Sequence, residues 1–284
     1  MTASPVIPAP LAATCRKTPE WSAWLERLPR VIRELEARWS LALGAPFEDE
    51  VSCSWVAPVE RRNGARAVLK IGIPHMESAD EARGLRFWAG DPTVRLLDAD
   101  ESLHALLIER CEPGTKLRLL PEPEQDTVIA GLLRRLWREP APREFRPLSE
   151  LTSHWAAGAR ARPPGRLDPG LVREGLHVFE ELPRTAPRTV SLATDLHAGN
   201  VLRAEREPWL VIDPKPFAGD PAYDATQHLF NCDERMHAQP EATIHRFADL
   251  LGVSRERVRL WMFARIAAES RDSWADVAAA LVRG

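Results

Sequence analysis

The 284-residue sequence has only four cysteines, Cys15, Cys53, Cys111 and Cys232, and they lie far apart. With no C-x-x-C pair there is neither a zinc-site spacing nor a disulfide framework, so reduced packing thiols in a cytoplasmic protein are expected. No apolar run approaches the length that spanning a bilayer requires, so no membrane association is expected. The opening "MTASPVIPAPLAATCRK" carries no basic stretch ahead of an apolar one, so a secretory leader is not expected. Residues 1–15 are instead expected to be disordered. Basic charge is not in excess either. The 38 Lys and Arg against 41 Asp and Glu give a net charge of −3, with no electrostatic footprint for nucleic acid. G-x-G-x-x-G and G-x-x-x-x-G-K-[ST] are both missing, so no recognisable glycine loop cradles phosphates.

What is present is ordinary for a globular chain, with 44% apolar and 28% charged residues. The length suffices for one large domain or two lobes. From Trp21 to Trp39 apolar residues recur at three- and four-residue steps, which predicts an amphipathic helix with a possible bend at Pro29. Residues 51–73 hold two β-rich runs around Asn63-Gly64, a hairpin signal. A helix is expected from Ser78, then strands in "TVRLLDAD" and "HALLIER", closed by the Pro-Gly turn of "CEPGTKL". Beyond this the pattern is mostly helical. Helices are expected over "TVIAGLLRRLW", 149–158, 169–182, 221–231, 241–250 and 255–281, with a hairpin at 201–212. The expected fold is α+β: a small β-rich N-terminal lobe (16–111) and a larger helical C-terminal lobe (112–284).

Phosphoryl transfer from a nucleotide asks for a lysine on the phosphates, a carboxylate orienting it, a base for the acceptor hydroxyl, and oxygen ligands for magnesium. Each has a candidate, in that order along the chain. Lys70 ends the alternating strand "ARAVLK". A lone strand lysine is usually a solvated edge charge, so by itself Lys70 carries little weight. Glu81 shares a helical stripe with Leu85 and Trp88, which places its carboxylate on a packed face, where an unpaired charge is costly. The ion pair with Lys70 is favoured, and Ser78-x-x-Glu81 as a capping box stays open. Asp195 and Asn200 have the D-x-x-x-x-N spacing of a kinase catalytic loop, and Asp213 follows the apolar strand "WLVI". A strand-terminating Asp before Pro214 is common, so the weight lies in the ordered set.

These stretches, "SWVAPVERRNGARAVLKIG", "VRLLDAD", "LLIERCEPGT", "DLHAGNVLRAEREPWLVIDPKPFAGDPAYD" and "WMFARIAAES", resemble the aminoglycoside phosphotransferase family, in its streptomycin 6-phosphotransferase and hydroxyurea-kinase branch. The resemblance runs from about Trp21 to the C-terminal helices. It implies a protein-kinase-like two-lobed fold with ATP and Mg2+. It further implies Asp195 as catalytic base, Asn200 and Asp213 as magnesium ligands, Lys70 with Glu81 as phosphate clamp, and the backbone of Glu109 and Cys111 facing adenine. The implied partner is a small-molecule acceptor, with cationic acceptors among those expected, for a monomer or weak dimer.

One departure stands out. The family writes His-Gly before the catalytic aspartate, where this chain has Ala193 and Thr194. If that backbone needs a positive φ, a β-branched threonine is strained there. Three functions are therefore weighed: a streptomycin-type aminoglycoside kinase, a kinase for hydroxyurea or another small alcohol, and a nucleotide-binding pseudokinase. His197 is expected to brace the loop. Asp220 is expected to tie the loop to the following helix or simply to cap it, leaving Asp224 structural. A cationic acceptor calls for carboxylates, for which Glu269, Asp233, Glu234 and Asp272 are candidates. Trp55 is placed near the nucleotide.

Overall fold

In the computed structural model, residues 5–48 and 53–283 are described. The chain divides into two units, Met1–Gly114 and Thr115–Gly284.

The first unit opens with helix α1 (Ala9–Cys15), inside the segment expected to be disordered. Leu11 and Cys15 are its fully buried residues, and they join the unit's core. The proline-rich composition concealed this short helix; residues 1–4 lie outside the described residues. Helix α2 (Pro19–Trp39) starts where the Thr18 hydroxyl accepts the Trp21 N–H at 3.2 Å, with Pro19 at the first helical position, and it runs on through Pro29. Strands β1 (Leu41–Leu43), β2 (Ser54–Arg61) and β3 (Arg66–Gly72) follow. Val51 and Ser52, at the start of the expected β run, lie outside the described residues. The β2–β3 turn uses Gly64 at φ 77°, a conformation glycine adopts without a Cβ penalty. Helix α3 (Glu81–Trp88) then leads to β4 (Leu96–Asp100) and β5 (Ala105–Glu109). The antiparallel sheet has the order β1-β2-β3-β5-β4. Trp24, Leu28, Ile32 and Leu35 of α2 pack on Trp55, Ala57, Val59, Leu69, Ile71 and Leu107 of the sheet. Burying each such aliphatic side chain stabilises the unit by about 1.5–3 kcal/mol. Trp55 is thus a core residue whose indole N–H donates to the Val6 carbonyl at 2.9 Å. By strand alternation Lys70 projects from the face opposite Leu69 and Ile71.

The second unit is built on α4 (Glu122–Leu136), α5 (Leu148–Ala161) and α6 (Pro169–Glu181), then short strands β6 (Val190–Leu192), β7 (Val201–Leu202), β8 (Leu210–Val211) and β9 (Phe217–Gly219). Helices α7 (Pro221–Leu229), α8 (Asp233–Ala238), α9 (Pro240–Leu251), α10 (Arg255–Glu269) and α11 (Ala275–Arg283) complete it. Strand β6 pairs with β9, and β7 with β8. Helix α10 is the central element, with Trp261, Met262, Phe263, Ala264, Arg265 and Ile266 all buried. The single helix expected over 255–281 is two, broken at Ser270, which takes a left-handed φ of 54°. No helix among the described residues is long and apolar enough to cross a membrane.

Candidate active site

In the first unit Lys70 Nζ lies 2.7 and 2.6 Å from the two carboxylate oxygens of Glu81, and both residues are buried. The capping box does not form. Helix α3 begins only at Glu81, after Asp80, and the Ser78 hydroxyl turns back to the carbonyls of Ile73 and His75. Two adjoining turns, a 3-10 turn at Met76–Ser78 and then α3, displaced the start that the Ser-x-x-Glu spacing suggested. Glu109 closes β5, its N–H donating to the Arg95 carbonyl and its carboxylate accepting the Arg95 N–H, both at 2.9 Å. Cys111 follows, half-buried.

In the second unit the loop that carries Asp195 and Asn200 lies between β6 and β7. Asn200 Nδ2 donates to the Asp195 carbonyl at 3.0 Å, and the Asn200 N–H to the His197 carbonyl at 2.9 Å. His197 Nδ1 accepts the Gly199 N–H at 3.1 Å, and burial lowers the pKa of this imidazole, so His197 braces the loop as a neutral ring. A Cβ on Gly199 would meet Arg118 Nη2 at 2.2 Å and the His197 ring at 2.7 Å, so only glycine leaves that brace undisturbed. The Ile212 N–H donates to the Asn200 carbonyl at 2.9 Å, which sets Asp213 beside Asn200. With its amide nitrogen turned to Asp195, Asn200 keeps its oxygen for the other side. An amide oxygen and the neighbouring carboxylate of Asp213 are the hard donors magnesium prefers, so these residues fit that ion.

Thr194 has φ 47°, the left-handed strain anticipated for a β-branched residue at that position. Three bonds hold it. Its N–H donates to Asp224 Oδ1 at 2.8 Å, its hydroxyl donates to the Lys215 carbonyl at 2.6 Å, and the neighbouring Ala193 N–H donates to Asp224 Oδ2 at 3.1 Å. Asp224, fully buried, also accepts the Trp137 indole N–H at 2.9 Å. Burial pushes its carboxyl up to about 6, against the pull of those three donors. The tie expected of Asp220 therefore falls to Asp224, on the first turn of α7. Asp220 caps α7 through the Ala222 N–H and binds Arg257 and Trp261 of α10. The sequence signal for Asp224 was slight: one more acid in "DPAYD".

Lys215 was not singled out in the sequence, yet its ammonium is ion-paired with Asp195 Oδ2. The four acceptor-side acids fare differently. Glu269 is held by Arg265 (2.9 Å to Nε) and Arg271 (2.6 Å to Nε). Burial would raise its pKa, but the two guanidinium groups hold it below the ordinary range. Arg265 is itself buried, so the Glu269 carboxylate is held against a guanidinium that has almost no access to solvent. Asp272 is a loop anchor that accepts the N–H groups of Arg166 and Leu167 at 2.7 and 3.2 Å. Asp233 and Glu234 are exposed on the first turn of α8. Among the described residues one His/Cys/Asp grouping is tight enough for a metal ion, Asp126–His228–Cys232, but arginines already supply its positive charge. Arg235 donates to Asp126 at 2.8 and 2.9 Å and to the Cys232 sulfur at 3.1 Å, and Arg246 donates to Asp126 at 3.0 Å. Burial pushes the Cys232 thiol up to about 12, which keeps it protonated.

The family described as Aminoglycoside/hydroxyurea antibiotic resistance kinase matches residues 38–278. The chain belongs to that family. This kinase is 38% identical over 276 residues to the streptomycin 6-kinase of Streptomyces glaucescens, covering 92% of the chain and 88% of that protein. It is also 38% identical over 250 residues to the hydroxyurea phosphotransferase of Kitasatospora aureofaciens, with 86% and 72% covered. Its fold is similar to that of a choline kinase from Streptococcus pneumoniae (TM-score 0.59, 13% identity, 90% and 98% covered). A macrolide 2'-phosphotransferase from Brachybacterium faecium is also similar (TM-score 0.53, 15% identity, 90% and 97% covered). The kinase therefore has the protein-kinase-like fold, with a small antiparallel-sheet unit and a larger helical one, and it is a small-molecule phosphotransferase. The pseudokinase alternative finds no support among these relatives.

Proposed function

We propose that this kinase transfers the γ-phosphoryl group of ATP to a hydroxyl of a streptomycin-type aminoglycoside. The observation that carries the proposal is the loop in which the Asn200 side chain donates to the Asp195 carbonyl and the Asn200 carbonyl accepts the N–H of Ile212, the residue before Asp213, in a chain 38% identical to a streptomycin 6-kinase over most of its length. Asp195 takes the proton of the acceptor hydroxyl as that oxygen attacks phosphorus. Lys70, held by Glu81, binds the phosphates of the donor. Asn200 and Asp213 would hold magnesium, which when bound neutralises phosphate charge. The backbone of Glu109 and Cys111 takes the adenine. Cytoplasmic residence fits the ATP requirement and the four free cysteines.

A second acceptor, hydroxyurea or another small alcohol, is favoured by Glu269. Its carboxylate is already neutralised by two arginines, so it offers a polycation less than its sequence position suggested. An acceptor panel with labelled ATP separates the readings. Product with streptomycin is expected, and product with hydroxyurea alone moves the assignment to the second. In either case Asp195→Asn is expected to cost about 10²–10⁴-fold in kcat while nucleotide still binds; unchanged turnover would remove Asp195 as base.

A further inference from the structure

Lysine is scarce here: among the 38 basic residues only Lys17, Lys70, Lys116 and Lys215 are lysines, and arginine supplies the rest. Two of the four stand against carboxylates, Lys70 on Glu81 and Lys215 on Asp195. Lys215 is fastened by every polar group it has to three consecutive residues. Its N–H donates to the Ala193 carbonyl at 2.9 Å, its carbonyl accepts the Thr194 hydroxyl at 2.6 Å, and its ammonium pairs with Asp195 Oδ2. The side chains of the ion pair are 16% and 21% exposed, so the charge is held in place yet reachable from solvent. An ammonium is a compact point charge with rotatable donors, whereas a guanidinium is a flat fork. An arginine-rich chain has a lysine where a small cation sits beside the proposed base.

We propose that Lys215 is a further catalytic residue of the phosphoryl transfer, an inference that rests on Asp195 being the base. The ammonium holds Oδ2 of Asp195 and leaves Oδ1 to meet the acceptor hydroxyl. It also presents positive charge to the phosphoryl group as it arrives. In the step, the acceptor O–H gives its proton to Asp195 and its oxygen forms a bond to the γ-phosphorus. The bond from that phosphorus to the β–γ bridging oxygen breaks, and its electron pair leaves with ADP. Lys215 makes no covalent bond. The phosphoryl group in flight spreads negative charge over three oxygens and would be repelled by an isolated carboxylate. A preorganised cation on the far oxygen of that carboxylate offsets the repulsion where the charge develops.

The test uses Lys215→Met, which keeps the aliphatic stem, and Lys215→Gln, which keeps a donor to Asp195 without the charge. Calorimetry with magnesium and ADP, with and without aluminium fluoride as a mimic of the transferring group, needs no acceptor. Both variants are expected to bind ADP as the wild type does and to bind ADP with aluminium fluoride about 10²-fold more weakly. Their kcat with the acceptor found by the panel is expected to fall about 10²–10³-fold, while KM for ATP moves less than about threefold. Should the Met variant fail to melt like the wild type, the Gln variant decides. Undiminished aluminium fluoride binding, or a Gln variant with kcat within about threefold of wild type, overturns the proposal. Asp195→Asn, run in parallel, separates the causes. If it is inert while Lys215→Gln is fully active, only the role of Lys215 is lost; if it turns over normally, the base assignment is lost as well.

Discussion

Thr194 provides a direct measure of how the catalytic loop is held. A non-glycine residue in the left-handed region costs about 1–2 kcal/mol. Against that stands the hydroxyl bond to the Lys215 carbonyl, worth about 0.5–1.5 kcal/mol. Thr194→Ala keeps most of the strain and loses the bond, so a loss of about 0.5–1.5 kcal/mol is expected. Thr194→Gly relieves the strain but loses the bond and adds about 0.5–1 kcal/mol of backbone entropy, so the terms nearly cancel. Thr194→Ser keeps the hydroxyl without the β-methyl and should be the most stable of the three. The expected order in urea midpoint, followed by far-UV circular dichroism, is Ser at or above wild type, Gly near it and Ala below. The alanine variant should also lose turnover, because the Lys215 segment is no longer tied to the residue before Asp195. An alanine variant as stable as wild type would refute the compensation, as would a glycine variant more than about 2 kcal/mol better.

Three further outcomes are expected. Lys70→Met leaves the buried Glu81 carboxylate without its cation, so a loss of about 3–5 kcal/mol is expected, and Lys70→Met with Glu81→Leu should recover most of the fold without activity; equal stability of single and double variants in chemical denaturation contradicts the buried pair. Burial alone would raise the pKa of Asp126, but its bonds to His228 and Arg235 outweigh that and hold the carboxyl well below the usual range. The folded state therefore binds that proton less readily than the unfolded chain, so the stability it confers is present above about pH 4 and drains away as pH falls further. Asp126→Asn should be less stable at neutral pH and flatter across that acid window; a parallel acid profile counts against the linkage. Gly199→Ala should lower kcat about tenfold or more by displacing the His197 brace, with little change in melting temperature; normal turnover would mean the loop accommodates the methyl group.

Much of the candidate site was legible from residue order. The Lys70 strand, Glu81 on a packed stripe, and Asp195 with Asn200 five positions on are local patterns with a physical meaning, and the small sheet followed from alternation and one Asn-Gly turn. What stayed hidden depends on contacts between distant segments. Asp224 and Lys215 read as an acid in a helix start and a lysine in a proline-flanked turn, because the register of β6 with β9 that brings 213–215 along 193–195 spans only three pairs. The helix start at Glu81 was obscured because Ser78 satisfies a cap pattern that the intervening 3-10 turn overrides. Glu269 had the position and charge of a substrate contact; Arg265 is its i,i+4 neighbour on α10, while Arg271 comes beside it only because α10 ends at Ser270.

The rarity of lysine has a practical consequence. An amine-acylating ester meets four side chains in this sequence: Lys17 is open to solvent, Lys116 is partly covered, and Lys70 and Lys215 are engaged by carboxylates. Peptide mass mapping of the acylated protein would thus be nearly free of background. Protection at positions 70 and 215 upon adding nucleotide would map occupancy residue by residue, without turnover of any antibiotic.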